Sequence, residues 1–124
     1  MDRKKLLKII TVLMLVLFVA DFLAKMFYWY SSIWWFDVLM HFSSGFWVGL
    51  FFLYVFTAKE SFIPVVKVLL WVLLIGVLWE IYELYVYQHL MGIPFDIFDT
   101  ISDIFLDLFG GLCAILYIWK KQLR

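Results

Sequence analysis

The stretch VVKVLLWVLLIGVLWEIYELYVY, residues 65–87, decides the fold. Its only charged side chains are Lys67, Glu80 and Glu83, and its apolar residues run on without alternating with polar ones. About 20 mostly apolar residues in a helix cross a hydrocarbon core about 30 Å thick. Lipid offers the backbone no hydrogen bonds, so only helices or closed β-barrels span a membrane. In the strands of such barrels apolar and polar residues alternate, which is not the case here. The stretch therefore predicts a transmembrane helix.

Three further stretches have the same character, at residues 6–28, 34–56 and 98–119. The chain has 124 residues, of which 67% are apolar, far above the roughly 45–50% of soluble proteins. The first stretch begins with basic residues, as a secretory signal does, but Asp21, Lys25 and bulky aromatics stand where cleavage would occur. We predict an all-α membrane protein, with residues 1–124 forming one four-helix transmembrane bundle.

The basic residues predict the orientation, because cytoplasmic loops retain Lys and Arg. All of them except Lys25 lie at the two ends of the chain or beside the connection 57–64: Arg3, Lys4, Lys5, Lys8, Lys59, Lys67, Lys120, Lys121 and Arg124. We therefore predict a multi-pass protein of the plasma (inner) membrane with both termini in the cytoplasm. The connections 29–33 and 88–97 then face outward.

The acidic residues have the opposite distribution, and all except Asp2 and Glu60 fall in the outward half. With a rise of about 1.5 Å per residue, one slab roughly 13 Å deep holds seven ionisable side chains. We call them the outer cluster: Asp37, His41, Glu80, Glu83, Asp99, Asp103 and Asp107.

Within each helix the members of the outer cluster are three or four residues apart, so they share one face. An ionisable group deep in a bilayer costs about 2.5–3.5 kcal/mol, and Lys25 is the only Lys or Arg in this half. The mutual repulsion of the outer-cluster carboxylates must therefore be relieved by proton uptake or by a bound cation. Carboxylates with one imidazole suit Mg, Mn, Zn or iron. We predict that all seven are ligands of a divalent metal ion, with His41, Asp103 and Glu80 also catalytic.

Some charged residues near the outer cluster, and one within it, can have purely structural roles. Asp96 can cap the last helix after Pro94, and Asp99 would then lie in the first turn, where the helix dipole favours an acid. Asp21 and Lys25 are four residues apart and can pair with each other.

Other polar residues and the glycines also have structural alternatives. Glu80 and Glu83 would be interfacial if the third helix ended early, and His41 can be a satisfied interior histidine. Four glycines are expected to serve close packing of helices: Gly45, Gly49, Gly110 and Gly111.

Three segments together resemble a known family: DVLMHFSSG at 37–45, WEIYE at 79–83 and DTISDIFLDLFGG at 99–111. The pattern is similar to the small inner-membrane proteins of the YjdF-like group and, more distantly, to VanZ-like proteins. Those pair an early Asp-x-x-x-His with a later acidic helix that ends in glycine. The resemblance implies a place in the cell envelope and a site at the seven outer-cluster positions.

The functional hypothesis is a membrane-embedded metal site that acts on a lipid or lipid-linked headgroup. Its partners would be membrane lipid and such a substrate, without nucleic acid, and a homo-oligomer is left open. One alternative is a proton- or cation-coupled transport component, because intramembrane acids often form relays. Another is a structural or accessory subunit of a larger membrane assembly.

Overall fold

The protein is helical throughout the residues that a computed structural model describes, which are 3–57, 64–92, 94 and 96–122. Within them there is no strand, and four helices are long and apolar enough to cross a membrane. In chain order the helices are α1 (Arg3–Met26), α2 (Trp29–Ser32), α3 (Phe36–Thr57), α4 (Val65–Tyr85) and α5 (Ile97–Gln122). The all-α prediction with four spans is confirmed. Two basic residues used for orientation, Lys59 and Arg124, lie outside the described residues, as do the acids Asp2 and Glu60.

The connection between the first two spans is itself partly helical. The chain turns at Tyr28, whose backbone is left-handed with φ 60°, so α1 ends at Met26 and not at residue 28. The hydroxyls of Ser31 and Ser32 donate to the Tyr28 carbonyl at 3.1 and 2.9 Å. These local bonds fold the expected loop into α2.

The third span also departs from the expected end at residue 87. After α4 the helix continues as a π-helical turn, Val86–Leu90, so the span covers Val65–Leu90. Glu80 and Glu83 therefore lie inside a continuous helix, and the third helix does not end early.

Helix α3 is the centre of the bundle, because it contacts α1, α4 and α5. Its closest neighbour is α5, and glycines make that approach possible. A Cβ on Gly45 would lie 2.7 Å from the Asp107 Cα, and one on Gly110 would lie 2.7 Å from the Phe46 backbone nitrogen. Gly49 and Gly111 face each other in the same interface. The packing role expected for these glycines is confirmed.

The core lies on the inner side of the outer cluster and is apolar. It is built from residues of all four spans: Leu6, Ile10, Leu50, Leu53, Val68, Val72, Ala114, Ile115 and Ile118. Among the described helices, α1 packs only against α2 and α3. A partly buried polar contact joins α1 to α3, since the Trp47 indole Nε1 donates to the Ile10 carbonyl at 2.9 Å.

One end of the bundle gathers the basic side chains. The Arg3 guanidinium lies 4.2 Å from the centre of the Tyr54 ring and donates to the Thr57 hydroxyl at 3.3 Å. Lys67 lies over the Phe56 ring at 4.3 Å. The start of α1, the end of α3 and the start of α4 thus lie at one end, which agrees with the segregation of charge in the sequence.

Replacing Gly45 tests whether the contact between α3 and α5 limits stability. Gly45→Ala should lower the free energy of unfolding by about 1–3 kcal/mol, because the new methyl meets backbone that cannot rotate away. Thermal unfolding of the purified protein in detergent, followed by circular dichroism, measures the loss. Ser44→Ala, at the exposed neighbouring position, is the control. Equal melting of both variants and the parent would contradict the close contact.

Candidate functional site

Three spans bring ionisable side chains together inside the protein. Within the described residues the buried polar or charged side chains are His41 on α3, Glu80 on α4, and Asp103 and Asp107 on α5. Their exposed fractions are 8%, 7%, 2% and 7%, respectively. Each belongs to the outer cluster, so part of that cluster is a buried group of neighbours.

The imidazole of His41 lies among three carboxylates. Its Nε2 is 3.3 Å from Asp103 Oδ2 and 3.4 Å from Asp37 Oδ1. Its Nδ1 is 3.7 Å from Asp107 Oδ1. Both ring nitrogens therefore face acids, which a histidine packed only as core filler would not require.

Two carboxylate oxygens in this group have unmet hydrogen-bonding capacity. Glu80 Oε1 and Asp103 Oδ2 are fully buried, and neither accepts a hydrogen bond from the described residues. A buried polar atom without a partner costs about 1–3 kcal/mol, and more when it is charged. A proton shared between neighbouring acids, a protonated His41 imidazole 3.3 Å from Asp103 Oδ2, or a bound cation would satisfy them.

The side chains form two groups whose potential ligand atoms lie within 4.8 Å of one another. The inner group consists of His41, Glu80, Glu83 and Asp103. The mouth group consists of Asp37, Asp99 and Asp103. In the inner group only Glu83 is partly exposed, whereas in the mouth group only Asp103 is buried. This carboxylate and imidazole donor set, with two buried oxygens that make no hydrogen bond within the described residues, fits a hard or borderline divalent cation.

Asp107 was expected to be a ligand, but the structure places it outside both groups. It lies one turn beyond Asp103 on α5, where it faces the Nδ1 of His41. A Cβ on Gly76 would lie 2.8 Å from Asp107 Oδ2, so the glycine leaves room for this carboxylate. The sequence analysis missed Gly76. Its position four residues before Glu80, on the same face of the helix, was the available signal.

Glu83 is held by a residue that was also missed. The Trp79 indole Nε1 donates to Glu83 Oε1 at 2.8 Å across one helical turn. This bond satisfies one lone pair and restricts the rotamers of the carboxylate. The spacing of four residues was visible in the sequence but was not used.

The capping role expected for Asp96 is confirmed. Its Oδ1 accepts from the backbone N–H of Phe98 at 3.0 Å and of Asp99 at 3.4 Å. Asp99 lies in the first turn of α5, as expected, and is exposed. It is nevertheless a member of the mouth group, so the favourable helix dipole and the cluster act on the same side chain.

The expected ion pair on α1 is also confirmed, with Lys25 Nζ 3.1 Å from Asp21 Oδ2. The Tyr30 hydroxyl, which was not anticipated, donates to Asp21 Oδ1 at 2.6 Å. Burial and this hydrogen bond raise the pKa of Tyr30, so the phenol stays a donor at neutral pH. Lys25 thus pairs with an acid outside the outer cluster.

These features define a multi-pass helical membrane protein with a buried carboxylate and histidine cluster. The chain belongs to the family described as Predicted membrane protein (DUF2238), whose model matches residues 2–124. This is the family of the YjdF-like proteins, so that resemblance is confirmed, while the VanZ-like one stays a prediction. No curated protein and no solved structure matches the chain.

A double-mutant cycle tests the space that Gly76 provides. Gly76→Ala should lower the free energy of unfolding by about 1–3 kcal/mol, because the methyl would press on the Asp107 carboxylate. In an Asp107→Ala background only Cβ remains, at 3.6 Å, so the cost should vanish and leave the helix-favouring effect of alanine. Reversible unfolding in mixed micelles measures both. Additivity within about 0.5 kcal/mol would show that the two residues do not interact.

Proposed function

We propose that this protein binds a divalent cation in the outward half of the membrane and acts on a phosphoryl or ester group of a lipid or lipid-linked substrate. The observation that carries the proposal is a pair of fully buried oxygens, Glu80 Oε1 and Asp103 Oδ2, that make no hydrogen bond within the described residues. Asp103 Oδ2 lies 3.3 Å from His41 Nε2, the third potential ligand atom. Buried charges in proteins are paired or coordinate metals. A cation is the partner that would satisfy both oxygens and the imidazole together.

The surroundings of His41 favour a ligand role for its Nε2. Ligating histidines usually direct their other ring nitrogen toward a carboxylate or carbonyl, which sets the tautomer and the ring orientation. Asp107 Oδ1 occupies that position, 3.7 Å from Nδ1. Asp107 would therefore orient the imidazole instead of binding the ion.

The proposed chemistry is hydrolytic. A divalent cation polarises a phosphoryl or carbonyl oxygen and lowers the pKa of water. Asp103 and His41 would hold the ion, and Glu80 would accept the proton from the attacking water. Glu83, fixed by Trp79, would complete the ligand set.

The substrate class follows from where the site opens. The Asp37 side chain is 42% exposed, so the mouth of the cluster reaches the surface. At that end of the bundle Trp34 and Phe98 are 84% and 81% exposed, as suits rings at the headgroup layer. With the basic end in the cytoplasm, both termini are inside and the mouth meets the outer leaflet of the plasma membrane.

Transport is the weaker alternative on physical grounds. A relay needs ionisable or hydrated groups along the whole path. On the inner side of the cluster the core is apolar, and Leu50, Leu53 and Val68 are fully buried there. Within the described residues no buried ionisable side chain continues the path beyond Asp107. An accessory role has no observation in its favour beyond the small size of the chain.

Metal content tests the cation site. The purified protein, equilibrated with Mn²⁺ and freed of excess ion, should retain at least one ion per chain by mass spectrometry. Asp103→Asn and His41→Ala should lose it, whereas Asp21→Asn should keep it, because Asp21 pairs with Lys25 and Tyr30 outside both groups. Retention by all variants, or no ion in the parent protein, would count against the site.

A reconstitution experiment tests the substrate class. In liposomes of native lipid extract with Mn²⁺, the parent protein should deplete one class of lipid or lipid-linked species and release a polar headgroup product, followed by mass spectrometry. Asp103→Asn and a chelated sample should release none. Identical lipid profiles in all three samples would reject hydrolysis while leaving the metal result intact.

A further inference from the structure

We infer that the site holds two divalent cations joined by the carboxylate of Asp103. The inference rests on the proposed function, since it concerns the same ligands, but it adds a second ion with a separate position. The inner group and the mouth group share one member, which is Asp103. No other residue belongs to both groups among the described residues.

The geometry suits a bridge. A carboxylate has two oxygens, and in two-metal sites the ions lie about 3.5–4 Å apart. Potential ligand atoms in each group lie within 4.8 Å of one another, so each group is compact enough to hold one ion, and Asp103 belongs to both. Asp103 is 2% exposed, and its Oδ2 lies 3.3 Å from His41 Nε2 without making a hydrogen bond within the described residues. That oxygen is thus available to an ion.

The charges also favour two ions. The two groups contain five carboxylates, and the sole imidazole lies among them. One divalent ion would leave most of this negative charge uncompensated at membrane depth. The nearest basic side chain on α1, Lys25, pairs with Asp21 and not with these acids. A second ion at the mouth would offset the repulsion among Asp37, Asp99 and the shared Asp103.

The two positions differ in exposure, which predicts different roles. The inner position has three buried ligands out of four, so an ion there would exchange slowly. At the mouth, Asp99 is exposed and Asp37 partly so, which leaves room for water and for a substrate oxygen. Two-metal sites stabilise both the attacking and the leaving oxygen of a displacement. Displacement at phosphorus has both an attacking and a leaving oxygen, so a phosphoester is the substrate class that a two-metal site suits best.

Mn²⁺ titration with electron paramagnetic resonance tests the inference. The parent protein should bind two ions per chain and give an exchange-coupled spectrum. Asp99→Asn should bind one ion and give an uncoupled six-line spectrum, and Asp103→Asn should bind none tightly. Asp96→Asn is the matched control, because Asp96 lies in neither group and asparagine preserves the helix cap. It should keep two coupled ions.

The outcomes separate this inference from the proposed function. One uncoupled ion in the parent protein would overturn the two-cation site and leave the proposed function standing. No bound ion would overturn both. Two ions without coupling would reject Asp103 as a bridge. Helical content and melting temperature are measured for each variant, and Asp37→Asn provides a second removal of the mouth position if Asp99→Asn does not fold.

Discussion

The contact of bare backbone between α3 and α5 is the constraint on which the site depends. Gly45 and Gly110 let the two helices approach until a side chain on either would overlap the other helix. Because the acids of α5 are one turn apart, this approach brings Asp103 and Asp107 within 3.3 and 3.7 Å of the ring nitrogens of His41. A wider separation would leave room for lipid or water between them. The glycines are therefore structural residues with a chemical consequence.

The two halves of the bundle differ in composition: one is an apolar core that packs the helices together, and the other contains the buried ionisable side chains. In the half of the bundle that contains the start of α1 and the end of α5, Val72, Ala114 and Ile115 are buried among other apolar residues. Their side chains have no polar atoms that need hydrogen bonds. On the outer side, buried acids are destabilising until a proton or cation joins them. The apolar half offsets that cost. This division explains how a chain of 124 residues can hold several ionisable groups at membrane depth.

Features that depend on spacing along one helix could be predicted from the sequence. The spans, the Asp96 cap and the ion pair of Asp21 with Lys25 are of this kind, since propensity and a rise of about 1.5 Å per residue determine them. Features that depend on how helices rotate against one another could not. Asp107 faces Gly76 and His41 because of the α4 and α5 packing, and the split of the cluster at Asp103 has the same origin.

The hydrogen bond from the Trp47 indole to the Ile10 carbonyl fixes the height of α1 in the membrane. Apolar surfaces in lipid offer little resistance to sliding, because one methyl contact is as good as the next and lipid is as apolar as a neighbouring helix. A donor with a single acceptor has no such freedom. Displacing α1 by half a turn, about 2.7 Å, would separate the indole from the Ile10 carbonyl before the next carbonyl on that face came within reach, and no water could replace the bond. This hydrogen bond therefore opposes movement of α1 along the bundle axis relative to α3.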